Sequence, residues 1–461
     1  MKVLKYAIAI APLLFFLTHQ GHAEDDAACS NAIELCRDGG EAQYLQDLDE
    51  KDWNSLYDYI NTKRTINVQE KSDNLTISGD VRAEYRRIEE CEDGHSVRSK
   101  KANIGWPKGH NDFDVQFNLR FDYVCNKAWG VAHLQFDNRA GVCNDFTSKD
   151  PETNAFIDPD GLNGSGTGCD IDLKKAYFGY NIYCDGATRF DVEVGRRRLY
   201  QVFDSEIQFL SRFDGALFKF DTSFDNFADW YLHAAAFVVD YRVNHYAWVG
   251  ETGLLDICDT GFDLKYSLID WEKNGTNFQG QRNPRGAQFL NSQITAYYNL
   301  DPELFFCMPV RFFGACLINH DACDLIIDRV CENDVTSEDD LLVELPKNFG
   351  KNNFAWYVGF SVGEVIKEGD WSFNAQYQFV EAQSIPNNDV SGIGNGNTRR
   401  WSFTKDYRGN TNFKGYRLEF LFAYTDNLSF DLRFEESTAI DNEIAGSHAF
   451  SQVKMEAIYA F

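Results

Sequence analysis

Between residue 75 and the final Phe461, apolar side chains recur at every second position, and this period restricts the chain to β-structure. In "NDFDVQFNLRFDY", Phe113, Val115, Phe117, Leu119, Phe121 and Tyr123 share one face, while Asp114, Gln116, Asn118, Arg120 and Asp122 share the other. "GYRLEFLFAYTDNLSFDLRFEES" reads as a hairpin. Tyr416, Leu418, Phe420, Phe422 and Tyr424 alternate, "TDN" turns, and Leu428, Phe430, Leu432 and Phe434 alternate on the way back. Aromatic residues, 15% of the chain, crowd the ends of these runs, where a membrane interface would hold them. A soluble sandwich also alternates, but its strands run to about 5–6 residues. These approach the ~9–11 of a membrane-crossing strand.

The connections carry a second rhythm. Short ones ("CNK", "CDG", "FDNFA", "NLDPE", "KEGD", "TDN") alternate with long ones at 89–110, 139–170, 198–213, 319–352, 383–412 and 439–447. Short turns at one end and long loops at the other mark a transmembrane antiparallel β-barrel, a pattern a sandwich has no reason to produce. Residues 243–272 read either as a hairpin, with Phe262, Leu264, Tyr266 and Leu268 alternating, or as one more connection. The reading is therefore sixteen strands, with fourteen as the alternative.

Ahead of the barrel, Lys2, Lys5, the apolar run "YAIAIAPLLFFLT" and the small Ala23 form the pattern of a cleaved signal peptide over residues 1–23. Residues 24–74, with Tyr44, Leu45, Leu48, Trp53, Leu56 and Tyr57 at near-helical spacing, read as a partly helical periplasmic segment. No later run approaches the ~20 apolar residues of a membrane helix. The barrel then occupies 75–461. The formal net charge of −27 argues against nucleic acid as a partner. Twelve cysteines in an exported chain predict disulfides, and no CxxC pair suggests a zinc ribbon or a redox site. Within about 7 Å between Cα atoms, Cys316, Cys323 and Cys331 beside one long loop, and Cys143 with Cys169 at another, are the expected loop pairs. Thiols left over could link neighbouring molecules, with Cys125 and Cys184 expected in short turns.

On the C-terminal "IYAF", the export signal and this strand rhythm, the chain resembles Gram-negative outer-membrane porins. The resemblance implies a bacterial outer-membrane channel for passive diffusion of ions and small hydrophilic solutes. Its partners would be outer-membrane lipid and lipopolysaccharide and the barrel assembly machinery, with a possible homotrimer. Tyr459 and Phe461 would form the assembly signal. In its cysteine content the chain is similar to the cysteine-rich porins of chlamydiae and related bacteria, by composition and architecture only. "VEVGRRRLYQVFDSEIQFLSRFDG" matches the porin arrangement in which a Gly-Arg pair, here Gly195 and Arg196, closes the fifth strand and the third long loop folds inward. The resemblance implies a constriction of Arg82, Arg86, Arg120, Arg196 and Arg197 on the wall facing Asp204 and Glu206 on the loop. By alternation, Asp80, Arg82, Glu84, Arg86, Arg120, Arg189, Asp191, Glu193 and Arg197 share the lumen side. The acidic excess predicts a mild cation preference, weakened because much of it lies in outer loops.

Two other classes compete. An enzyme would need a catalytic cluster, and His133, His233 and His320 are accompanied by no nucleophile motif. The chain therefore reads as no enzyme. No metal or cofactor is expected, since Asp158, Asp160 and Asn163 in "IDPDGLNG" do not match an EF-hand loop. A disulfide-linked structural envelope protein with little channel activity is the alternative to transport.

Overall fold

The computed structural model describes most of residues 70–461, without 97–108, 140–169, 272–288, 328–346, 394–410 and several shorter stretches. The expected signal peptide and most of the 24–74 segment lie outside the described residues. Sixteen antiparallel strands close into one barrel. They are β1 (Leu75–Glu92), β2 (Gly109–Cys125), β3 (Ala128–Arg139), β4 (Asp170–Cys184), β5 (Thr188–Arg198), β6 (Arg212–Phe224), β7 (Ala228–Asp240), β8 (His245–Leu255), β9 (Phe262–Asp270), β10 (Leu290–Leu300), β11 (Val310–Asn319), β12 (Phe354–Gly363), β13 (Trp371–Val380), β14 (Phe413–Ala423), β15 (Leu428–Ala439) and β16 (His448–Ala460). Each pairs with its sequence neighbours, and β1 pairs with β16 to remove the sheet edge.

The ambiguous stretch resolves as β8 and β9 joined by a turn at 256–261. It escaped the rhythm because only four positions separate the end of β7 at Asp240 from the start of β8 at His245. Alternation decides the faces. Tyr85, Phe113, Tyr123, Phe262, Leu264, Tyr266 and Phe430 stand exposed on the outside, while Asp80, Arg82, Glu84, Asp114, Asp122, Lys265, Asp431 and Glu435 are buried inside. An apolar exterior around a polar interior is the inverse of a soluble domain and suits a lipid surround.

The last residue takes part in closure. Phe461 exchanges two backbone hydrogen bonds with Gly79 of β1, at 3.1 and 3.0 Å, and its ring stacks on Phe117 at 6.1 Å between centroids. A Cβ on Gly79 would lie 2.7 Å from that ring and 2.6 Å from the Asn118 carbonyl oxygen, so only glycine leaves the seat open. Tyr459 also points outward, opposite Leu428 and Val81.

The apolar core lies within the barrel. Leu199, Val202, Phe203 and Phe209, from the loop 199–211, pack on Phe213, Leu217, Ala235, Phe237, Ala247, Val249 and Ile269, which point inward from β6 to β9. Ile207 of the same loop packs with Tyr297, Phe313, Leu317, Tyr357 and Phe413, joined by Ile385, Val390 and Ile393 from the connection after β13. Each large side chain so buried contributes about 1.5–3 kcal/mol to holding the loop inside.

Five cysteines are described: Cys91, Cys125, Cys184, Cys258 and Cys316; none of them is in a disulfide. Cys316 lies within β11 on the exposed outer face, not beside a loop, because it alternates with the inward Ala315 and Leu317. Cys125 and Cys184 are the last residues of β2 and β4 rather than turn residues. The other expected disulfide partners lie outside the described residues.

Candidate functional site: a loop folded into the barrel

The third long loop runs inward from the end of β5. Its start is a single 3-10 turn at Leu199–Gln201, and its two limbs are tied by Leu199 N–H donating to the Ser211 carbonyl and Tyr200 N–H to that of Phe209, both 2.9 Å. The crossing segment is then bonded to the wall. Lys265 of β9 donates to the Asp204 carboxylate at 2.7 Å, and the Tyr297 hydroxyl of β10 donates to the same oxygen. Glu251 of β8 accepts the Asp204 N–H at 2.9 Å, and Gln293 of β10 donates to the Asp204 carbonyl at 2.8 Å. Further along, Gln376 and Gln378 of β13 donate to the carboxylate and carbonyl of Glu206 at 3.1 and 3.2 Å, and Arg417 of β14 stands 3.9 Å away.

A second segment holds the loop from the far side. The Asp389 carboxylate accepts the N–H groups of Phe209 and Ser211 at 3.2 and 3.0 Å, and its carbonyl accepts that of Leu210 at 3.1 Å. Ser391 donates its N–H to the Ile207 carbonyl at 2.9 Å and its hydroxyl to the Gln208 carbonyl at 2.7 Å.

Burial alone would raise the Asp204 carboxyl, but Lys265, with support from Tyr297 and Arg311, holds it below its ordinary range. Burial lifts the Glu206 carboxyl to about 7 against the pull of Arg417 and Gln376. Burial likewise lifts Asp389 to about 7 against its backbone donors.

The residues named from sequence separate into three groups. Asp204 and Glu206 are on the inward loop, but their carboxylates meet residues of the sector β9–β14 rather than facing the arginines of β1 and β2. Arg82, Arg86, Arg120 and Arg197 do point inward, each with a carboxylate of its own wall. Arg82 meets Asp80 at 2.5 Å, Arg86 meets Glu84 at 2.7 Å, and Arg120 meets Asp122 at 2.7 Å. Arg197 is bonded to Glu193 and lies over the Tyr177 ring at 4.2 Å. Arg196 is on the opposite face, paired with Asp214 of β6 at 2.7 Å, because side chains alternate at this point of β5 and its neighbour Arg197 points inward. It is a correction to the constriction read from sequence.

The histidines lie apart. His133 contacts Asn118 at 3.2 Å, His233 contacts Asp221 at 3.0 Å, and His320 meets Ser292 at 2.6 Å. The residues that seat the loop, Glu251, Lys265, Gln293, Tyr297, Gln376, Gln378 and Asp389, were not singled out from sequence. The available signal was a set of polar residues on inward positions among inward apolar ones.

Beside the docked loop a recess stays open to solvent, lined by β1 to β4, Arg198, Tyr200 and Gln201. The sector β14 to β16 and β1 carries a charge network: Arg417 with Glu435, Arg433 with Glu419, and Lys454 with Glu456 and Glu84.

No protein-family model matches the chain, and no curated protein matches it. Among solved structures it is similar to OmpF of Salmonella typhi in complex with daunomycin, at 11% identity and a TM-score of 0.47, covering 86% of this chain and 100% of that one. It is similar to OprB of Pseudomonas putida, at 10% identity and 0.47, covering 84% and 94%. A mutant of the Rhodopseudomonas blastica porin is similar at 8% identity and 0.41, covering 84% and 100%. Likeness at this level fixes no function; strand count and closure stand on this chain's own pairing.

Proposed function

We propose that the chain is a bacterial outer-membrane porin, a water-filled channel for passive diffusion of ions and small hydrophilic solutes. The observation that carries this reading is the solvent-open polar recess left beside an inward loop, inside a closed barrel with an apolar exterior. A barrel built only to reinforce an envelope has no need of such a lumen. The reading includes export through the signal peptide and insertion by the assembly machinery, which would read Tyr459 and Phe461 on β16. It also includes residence among lipopolysaccharide, with a homotrimer as the expected assembly. Kinship with the cysteine-rich porins of chlamydiae belongs to it too. The thiols of Cys125, Cys184 and Cys258, at the short-turn rim, would be available to link neighbours.

The test is the current carried by refolded protein in a planar bilayer. Discrete conductance steps are expected. A folded barrel that passes no current at any voltage overturns the proposal and returns the structural envelope role.

A further inference from the structure

We infer that the recess between β1–β4 and the start of the inward loop is a binding site for small oxyanionic solutes, carrying a phosphate or carboxylate group. This rests on the channel reading and names the solute class of that same lumen. Five cationic side chains line the recess, Arg82, Arg120, Lys174, Lys175 and Arg198, against the single carboxylate of Asp80. Asp80 is already committed, accepting from Arg82 at 2.5 Å and from Asn118 at 2.9 Å.

Three further carboxylates touch these cations from outside the lining, the first being Glu456, 3.5 Å from Arg82. Asp122 takes Arg120 at 2.7 Å. Asp172 takes Lys174 at 3.2 Å but is shared, since Arg212 grips both its oxygens at 2.8 and 2.6 Å. Arg198 meets no carboxylate among the described residues. Its guanidinium donates to the Tyr200 hydroxyl at 2.9 Å. Within the lining itself, positive charge exceeds negative by five side chains to one.

The cations come from four elements, so no one strand's sequence pattern reveals them. Arg82 and Arg120 are on β1 and β2, Lys174 and Lys175 on β4, and Arg198 ends β5 where the loop begins. Hydrogen bonds between Gln135 and Gln116, and between Asn118 and Asp80, fix the wall between them. Guanidinium and ammonium donors converging on a partly enclosed, wet space suit an oxyanion, which accepts charge-assisted hydrogen bonds from both.

The chain as a whole is acidic, which predicts cation preference from sequence. Exposed charges are screened beyond about 8 Å at physiological salt, so acidic outer loops act weakly on an ion already inside. The local excess decides the preference, and it is for anions.

The test uses the whole refolded protein in a planar bilayer under a KCl gradient, with inorganic phosphate then added, and acetate in a parallel run. The expected results are a reversal potential on the chloride side and a saturable block of chloride current by phosphate. Acetate blocking at similar concentration would indicate that the shared oxyanion chemistry suffices, and acetate without effect would narrow the site to phosphate. Replacing Lys174→Gln together with Arg198→Gln should raise the half-blocking phosphate concentration about tenfold, the loss expected for one charge-assisted hydrogen bond. The wild-type measurement stands if that variant does not fold. A conducting channel with cation preference and no phosphate block overturns this inference and leaves the channel reading intact. A folded barrel without current overturns both.

Discussion

The inner walls of β6–β13 and of β14 round through β16 to β5 are built on the same alternation, yet the first is covered by the loop and the second carries paired charges, with a solvent-open recess along β1–β4. Along β6–β9 the inward positions include an apolar set, Phe213, Leu217, Ala235, Phe237, Ala247, Val249 and Ile269, which the loop 199–211 covers, with Glu251 and Lys265 among them bonded to that loop. Along β14–β16, β1 and β2 they include Arg417, Arg433, Glu435, Lys454, Glu456, Arg82, Glu84, Asn118 and Asp122, and ions pair across neighbouring strands. An inward apolar residue in a barrel cannot face water at low cost, so its presence calls for a cover. An inward charge needs a partner or solvent, so its presence keeps the space open. The composition of the inner face thus decides which sector the loop lies on.

The largest break in this contrast should come from unseating the loop. Phe209→Asp places a carboxylate in the apolar cluster of Phe203, Phe213 and Phe237. Single-channel conductance should rise severalfold, with the barrel still resistant to unfolding in detergent. An unchanged conductance would mean that the loop does not limit the path.

Next in size is the ion pair under the loop. Asp204→Asn leaves the Lys265 ammonium buried without its carboxylate, and such a break costs about 3–5 kcal/mol. Amide exchange across residues 203–209 should quicken by orders of magnitude. Adding Lys265→Met should restore much of the protection. If the single and double variants exchange alike, the pair does not hold the loop.

A smaller, pH-dependent effect is expected from Glu206 and Asp389. Both carboxyls are raised by burial to about 7 in the docked loop, against about 4 when free. The docked state therefore binds protons more readily. Its stability is fully present below about pH 4 and is lost progressively as pH rises through 7. Amide exchange at Phe209 and Ser211, corrected for intrinsic rates, should become faster from pH 5 to 8, and Asp389→Asn should flatten that dependence. A dependence of opposite sign would contradict the burial of these groups.

The smallest effect belongs to the outer face. Arg196 and Asp214 are a largely exposed pair, worth about 0–1 kcal/mol. Arg196→Gln should leave both melting and ion selectivity unchanged. A shift in reversal potential would return Arg196 to the constriction.

The strands were legible because outward Phe, Tyr and Leu contrast with inward charge, as in β2, β14 and β15. Where both faces are apolar, as in β7 with inward Ala235 and Phe237 and outward Leu232 and Val238, alternation loses its contrast and the buried seat of the loop is invisible. The inward loop was legible from its position after the fifth strand, and so were Asp204 and Glu206. Their partners were not, because Lys265, Gln376 and Arg417 lie 61, 170 and 211 residues away in sequence and meet them only through closure. The segment 385–393 that latches the loop carries no periodicity, since its role rests on backbone hydrogen bonds to Asp389 and Ser391.

The central claim, that solute passes along the charged sector while the apolar sector is closed by the loop, is tested most directly by thiol modification during conduction. Gln116→Cys puts a thiol in the recess, and Val249→Cys puts one beneath the loop. Each is treated with a small charged methanethiosulfonate while single-channel current is recorded, with the treated wild-type chain as control for its native cysteines. A stepwise fall in current is expected for Gln116→Cys and none for Val249→Cys beyond control. Equal falls in both, or a fall in Val249→Cys alone, would contradict it.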